Sequence, residues 1–127
     1  MSEITADVNW VATAVGTFLS FMLGGLWYSP KLFGKGWTEG ARVPATEGGH
    51  DRSALMAQLV GTFLLAWVIA VMAAQNALAT TVLIALTIAC LFEAGGMFNR
   101  KSAYARHVES GFVLVMTAIM IACHALV

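Results

Sequence analysis

Apolar residues run almost unbroken through four stretches, 8–28, 54–74, 77–98 and 108–127, and polar residues gather between them. The pattern is neither the two-residue alternation of a half-buried strand nor the single apolar stripe of a soluble helix. The stretch 54–74 carries no charge, and its polar side chains are Gln58 and Thr62. Each stretch holds 20 to 22 residues, which as helix is about 30 Å, the thickness of a bilayer's hydrocarbon core. The pattern therefore predicts an all-α fold, an integral membrane four-helix bundle in a single domain. The loops would be 29–53 and 99–107, with a tight turn at Gln75-Asn76.

Composition strengthens this reading. Of the 127 residues, 59% are hydrophobic and 11% charged, whereas soluble domains average about 45–50% and about 25%. A cleaved secretory signal does not explain the first stretch, because Glu3 and Asp7 precede it and no Lys or Arg does. It is expected to remain as an anchor.

The net charge of zero hides an asymmetry. All seven basic residues, Lys31, Lys35, Arg42, Arg52, Arg100, Lys101 and Arg106, fall in or beside the two loops on one side of the bundle. The positive-inside rule then places both loops in the cytoplasm and both termini outside.

The densest chemistry lies between Gly24 and Trp37. A residue before proline avoids helical backbone, so Ser29-Pro30 ends the first helix, with Trp27 and Tyr28 at headgroup depth and Trp10 at the opposite interface. After the proline, Lys31, Leu32, Phe33, Lys35 and Trp37 mix cations with apolar groups, while Gly34 and Gly36 disfavour helix. This predicts a loop lying in the interface. Trp27, Tyr28, Lys31, Lys35 and Trp37 are candidates either for plain anchoring or for a lipid-headgroup or ligand site.

The same stretch resembles the signature of a family of small bacterial membrane proteins of unknown function. The resemblance rests on Val8, Asn9 and Trp10, then Gly24, Gly25, Trp27, Tyr28, Ser29 and Pro30, then Phe33, Gly34 and Lys35. It is specific over roughly the first thirty-five residues, and beyond them it rests on the similar four-helix layout. It implies a compact four-helix inner-membrane protein and supplies no catalytic residue or substrate.

Small residues recur every four positions in two helices: Ala12, Gly16, Ser20 and Gly24 in the first, and Ala77, Thr81, Ala85 and Ala89 in the third, where the next step is Glu93. Such rows let helix backbones approach closely, so Ala12, Gly16, Ser20, Gly24, Ala85 and Ala89 are expected at helix contacts. A faint repeat aligns residues 21–27 with 92–98. It raises the option of two similar helical hairpins in parallel orientation.

Metal, redox and cofactor chemistry find little footing. His107 and His124, seventeen residues apart on one helix, would lie about 25 Å from each other. Cys90 and Cys123 would differ in depth by about 13 Å, beyond disulfide reach, and are expected in the core. His50 joining His107 and Glu109 lacks any ligand spacing. No phosphate-cradling glycine loop or nucleophile elbow is present. The expectation is no metal, no cofactor and no catalytic residue.

Glu93 stands apart as a charged residue well inside an apolar stretch. A carboxylate there needs a partner, a proton or water. His107, Arg106 or Lys101 lies within reach across the short loop, so Glu93 with His107 and Arg106 is a candidate either for a structural ion pair or for proton or cation coupling. Two functional readings follow. The first is a non-enzymatic membrane module, packing into a homo-oligomer or a larger membrane complex. The second is a minimal ion- or proton-coupled transporter or channel using Glu93. The expected partners are membrane lipids and other membrane subunits, not nucleic acid. The orientation is checked by placing single cysteines at Lys31, Arg100 or Ser2. In intact cells an impermeant thiol reagent should label the one at Ser2 and spare the other two; the reverse pattern would invert the topology.

Overall fold

The computed structural model describes residues 2–42 and 52–127. Among the described residues, a 3-10 turn at Ser2–Ile4 is followed by five helices: α1 (Trp10–Trp27), α2 (Gly34–Ala41), α3 (Arg52–Ala74), α4 (Leu78–Phe98) and α5 (Ala103–Leu126). Four of them, all but α2, are long and apolar enough to cross a membrane.

Local chemistry sets most of the boundaries. Asn9 caps α1, its side-chain oxygen accepting from the Ala12 N–H at 3.0 Å. The helix stops ahead of Pro30, and the chain folds back so that the Phe33 N–H donates to the Trp27 carbonyl at 3.1 Å and the Gly34 N–H to the Ser29 carbonyl at 2.9 Å. α3 and α4 end alike. In one the Ala77 N–H reaches the Met72 carbonyl at 2.9 Å, and in the other the Lys101 N–H reaches the Gly96 carbonyl at 2.9 Å. Asn76 and Arg100, both with positive φ, supply the left-handed residue that this helix ending needs.

Two boundaries depart from the sequence reading. The fourth apolar stretch starts at residue 108, but α5 starts at Ala103, because Ser102 caps it by accepting from the Ala105 N–H at 3.1 Å. The connection is correspondingly short. The expected interfacial loop after Pro30 contains α2, in spite of its glycines.

The centre of the molecule is α5. Its buried residues run from Ala105 through Val108, Phe112, Val113 and Met116 to Met120 and Cys123, and α1, α2, α3 and α4 all pack on it. The apolar core joins Phe112, Val113, Met116 and Met120 of α5 to Ala66 and Ile69 of α3. In α1 the row of small residues faces this core: Ala12 and Ser20 are fully buried, a Cβ at Gly16 would lie 3.4 Å from Met120 Cγ, and one at Gly24 would lie 3.2 Å from Phe112 Cζ. In α4, Thr81, Ala85 and Ala89 are buried in the same manner. The two hairpins, α1 with α3 and α4 with α5, each close on themselves, but α1 packs broadly on α5 while α4 scarcely meets α3.

α3 is asymmetric along its length. Its buried residues, Thr62, Ala66, Ile69, Ala70 and Val71, begin at Thr62, whereas residues 52–61 are all exposed. Cys123 is in the core as expected, but Cys90 is exposed on the outer face of α4.

Buried hydroxyls are mostly satisfied inside their own helices. Thr13, Thr17, Thr62, Thr81 and Thr117 each donate to the carbonyl four residues earlier, at 2.6 to 3.0 Å. Ser20 Oγ is the buried side-chain oxygen without a partner among the described residues.

The tight seat of α1 on α5 generates a test. Gly16→Leu adds a side chain where Met120 leaves only van der Waals room, and overpacking of this kind costs about 1–3 kcal/mol. Leu19, 44% exposed, points away. Gly16→Leu should lower the melting temperature in detergent, and Leu19→Ile should leave it unchanged. Equal tolerance of both would place the stripe against lipid.

Candidate functional site at the basic end of the bundle

Where α1 ends, α2 folds back and α5 begins, two carboxylates meet their partners. Glu93 projects from α4 toward the first turns of α5. Its Oε2 accepts from Ser110 Oγ at 2.6 Å and lies 2.8 Å from His107 Nδ1, while its Oε1 accepts from Arg106 Nε at 3.3 Å. Arg106 Nη1 also donates to the Lys101 carbonyl at 3.3 Å. Gly96 makes room, since a Cβ there would press into the Arg106 side chain.

The second carboxylate is Glu109, on a different face of α5. Its Oε2 accepts from Lys101 Nζ at 2.7 Å and from the Trp37 indole N–H at 2.8 Å. Lys101, a candidate partner for Glu93, is thus engaged elsewhere. The Trp37 contact depends on α2, which lies against α5 because glycines face it. Any Cβ at Gly36 would collide with the Tyr104 ring and any at Gly40 with Ser102. The Ser102 N–H donates to the Gly40 carbonyl at 3.0 Å, and Arg42 Nη2 donates to the Asn99 carbonyl at 2.7 Å. α2 is clamped at its C-terminal end.

Between α1 and α2 the aromatic residues form one cluster. The Trp27 indole N–H donates to the Val108 carbonyl at 2.9 Å. Trp27 stacks at a tilt on Phe33 at 4.7 Å, and Tyr28 meets Trp37 at 4.9 Å and Phe112 at 5.4 Å, both edge to face. Burial, and secondarily the Glu109 charge, holds the Tyr28 phenol above the ordinary tyrosine range.

Of the sequence candidates, the structure brings Glu93, Arg106 and His107 together, and Trp27, Tyr28 and Trp37 together. It does not add Lys31 or Lys35 to the aromatic group, because both are exposed. His107 and Glu109 have different partners, and His50 lies outside the described residues. Sequence reasoning missed Ser110 and the Trp37–Glu109 bond. A signal for the latter existed: Glu109 is the second residue of an apolar stretch and needs a donor as much as Glu93 does.

Chemically, both carboxylates are held by charged and neutral donors. Ser110 donates to a carboxylate rather than to an imidazole nitrogen, which is not the arrangement that activates a nucleophile. His107 is 67% exposed and is the solvent-reachable member of the Glu93 group. Its ring also lines a shallow apolar cleft of about 200 Å³ with Trp27, Phe33, Tyr104 and Val108. At the far end a second cleft of about 260 Å³ lies between α3, α4 and α5, with Asn76, Thr81 and His124 on its walls.

A family described as a protein of unknown function, DUF1761, matches residues 11–125. The chain belongs to the DUF1761 family. The match takes in all five helices save the first residue of α1 and the last of α5, including α2 and both carboxylate groups, whereas Val8, Asn9 and Trp10 precede it. No curated protein and no solved structure matches the chain.

Trp37, Lys101 and Glu109 form a testable unit. Hydrogen bonds to charged groups are worth about 1.5–3 kcal/mol, so Trp37→Phe and Glu109→Gln should each destabilise the protein. A double-mutant cycle by thermal or chemical unfolding should show the pair costing less than the sum of the two, by at least about 0.5 kcal/mol. Strict additivity would mean that Trp37 acts through its ring alone.

Proposed function

We propose that this DUF1761 protein is a non-enzymatic membrane module that works as an oligomer or as a subunit of a larger membrane complex. The basic end would face the cytoplasm and the termini the outside of a bacterial inner membrane, following the charge asymmetry of the loops. One observation carries the functional reading: the intramembrane carboxylate Glu93 is bonded to three side chains of its own chain. The buried threonines bond back to their own helices and offer no polar lining for a path. The outward offering of the molecule is apolar helix surface, on α3 and α4 above all. Such surface meets lipid or another helix.

The competing reading, a proton- or cation-coupled carrier using Glu93, draws on the exposure of His107 beside it. Glu93→Gln separates the two. Under the module reading, wild-type protein in vesicles under a proton or cation gradient gives no flux above empty vesicles. The Gln variant, which leaves Arg106 without its counter-charge, should then lose stability by about 1–3 kcal/mol. Wild-type flux that disappears in a normally folded Glu93→Gln would overturn the module. Intact-assembly mass in lipid nanodiscs completes the test, because a lone monomer without partner would also count against it.

A further inference from the structure

The first half of α3 is exposed along its whole described length, and one residue in it does not suit lipid. Gln58 lies six residues after Arg52, or about 9 Å further along the helix axis. Its side chain does not turn back toward the headgroups. Gln58 Nε2 donates to Thr62 Oγ1 at 3.1 Å, one turn deeper into the span. That leaves the amide carbonyl and one N–H with no partner among the described residues, at a depth where neither is hydrated by hydrocarbon.

We propose that this half of α3 is the contact surface for a second copy of the chain, with the Gln58 amides of the two copies bonded to each other. The proposal rests on the oligomeric reading above and names its partner and its surface. The amide supports a second copy over an unrelated helix because it is self-complementary: it offers one donor and one acceptor and needs one of each. A two-fold axis along the membrane normal sets both copies' Gln58 at the same depth with the helices parallel, so each carbonyl meets the other's N–H. Both unmet groups are then satisfied together.

The face around Gln58 permits the approach. On a helical projection Ala54 and Gly61, both exposed, share its side, and they lie roughly a quarter-turn from the side that Thr62, Ala66 and Ile69 bury in the bundle. A Cβ added at Gly61 would meet nothing within 4 Å, so the backbone there is open to a neighbouring helix. Interhelical amide bonds in membranes contribute about 0.6–2 kcal/mol. By that range, losing the pair weakens association about threefold to thirtyfold.

The test uses the full chain in lipid, with the exposed Cys90 changed to Ser. Ala54→Cys and Gly61→Cys should each form a disulfide between copies under mild oxidation, and Met56→Cys, on the opposite side of α3, should not. Gln58→Leu should fold as well as wild type but shift the monomer–dimer equilibrium toward monomer by the factor above, read by concentration-dependent mass or energy transfer between labelled copies. An oligomer that persists with unchanged affinity in Gln58→Leu and gives no Ala54 or Gly61 crosslink overturns this surface and leaves the module standing. A monomer at all protein-to-lipid ratios overturns this surface and the homo-oligomer together, leaving the module only as a subunit of a larger complex. Rapid labelling of Gln58→Cys by an impermeant thiol reagent in inverted vesicles would mean that water rather than a second copy satisfies the amide, and overturns the proposal.

Discussion

The contact on which the structure depends is the close approach of α1 to α5. Gly16 beneath Met120 and Gly24 beneath Phe112 let the two backbones come near enough for side chains of α5 to fill the space that α1 leaves. Lipid tails are as apolar as leucine, so helices in a bilayer gain little from hiding apolar surface from one another. They gain from packing density, and small residues opposite large ones supply it. From that contact follows the direction of Phe112, and from Phe112 the floor on which Trp27 and Tyr28 rest.

The polar groups obey a companion constraint. Without water, an unmet donor or acceptor costs several kcal/mol, and the chain meets most of the demand in two ways. Threonines bond along their own helix and add no link between elements. The carboxylates bond across elements, Glu93 tying α4 to α5 and Glu109 tying α5 to α2 and Lys101. The basic end is therefore a cross-linked collar, while the rest of the bundle is held mainly by packing, with the Trp67 indole N–H donating to the Ile4 carbonyl at 2.7 Å.

How much of this was legible in the sequence depends on the range of the signal. Apolar stretches of 20 to 22 residues are local and point correctly to four long helices; the small residues every fourth position are local too, and lie on the buried faces of α1 and α4. The ends were harder. Hydropathy begins at Val108, but a cap is a polar signal, and Ser102 sets the start of α5 from outside the apolar stretch. The helix α2 was hidden because glycine's low helix propensity is a weak prior that tertiary contact overrides; Gly36 and Gly40 are there for the sake of Tyr104 and Ser102. Trp37 and Glu109, seventy-two positions apart, carry no pattern that spacing alone can join. Cys90 looked like a core residue because small and apolar describes a lipid-facing position equally well.

The clamp of α2 has a consequence for the order in which the protein is made. The ribosome delivers α1, α2 and α3 first, yet the surface that seats α2, and one of the two that seat α1, belong to α5, the last helix to emerge. Until Ser102, Tyr104 and Glu109 arrive, Trp37 has no acceptor and Gly40 no donor to receive. The glycine-and-alanine face of α1 meanwhile lies against lipid or against the insertion machinery. Maturation of the N-terminal third thus waits on the C-terminal quarter, and contacts so distant in the chain close late. A chain halted after α4 would hold three inserted helices and lack the part that organises them.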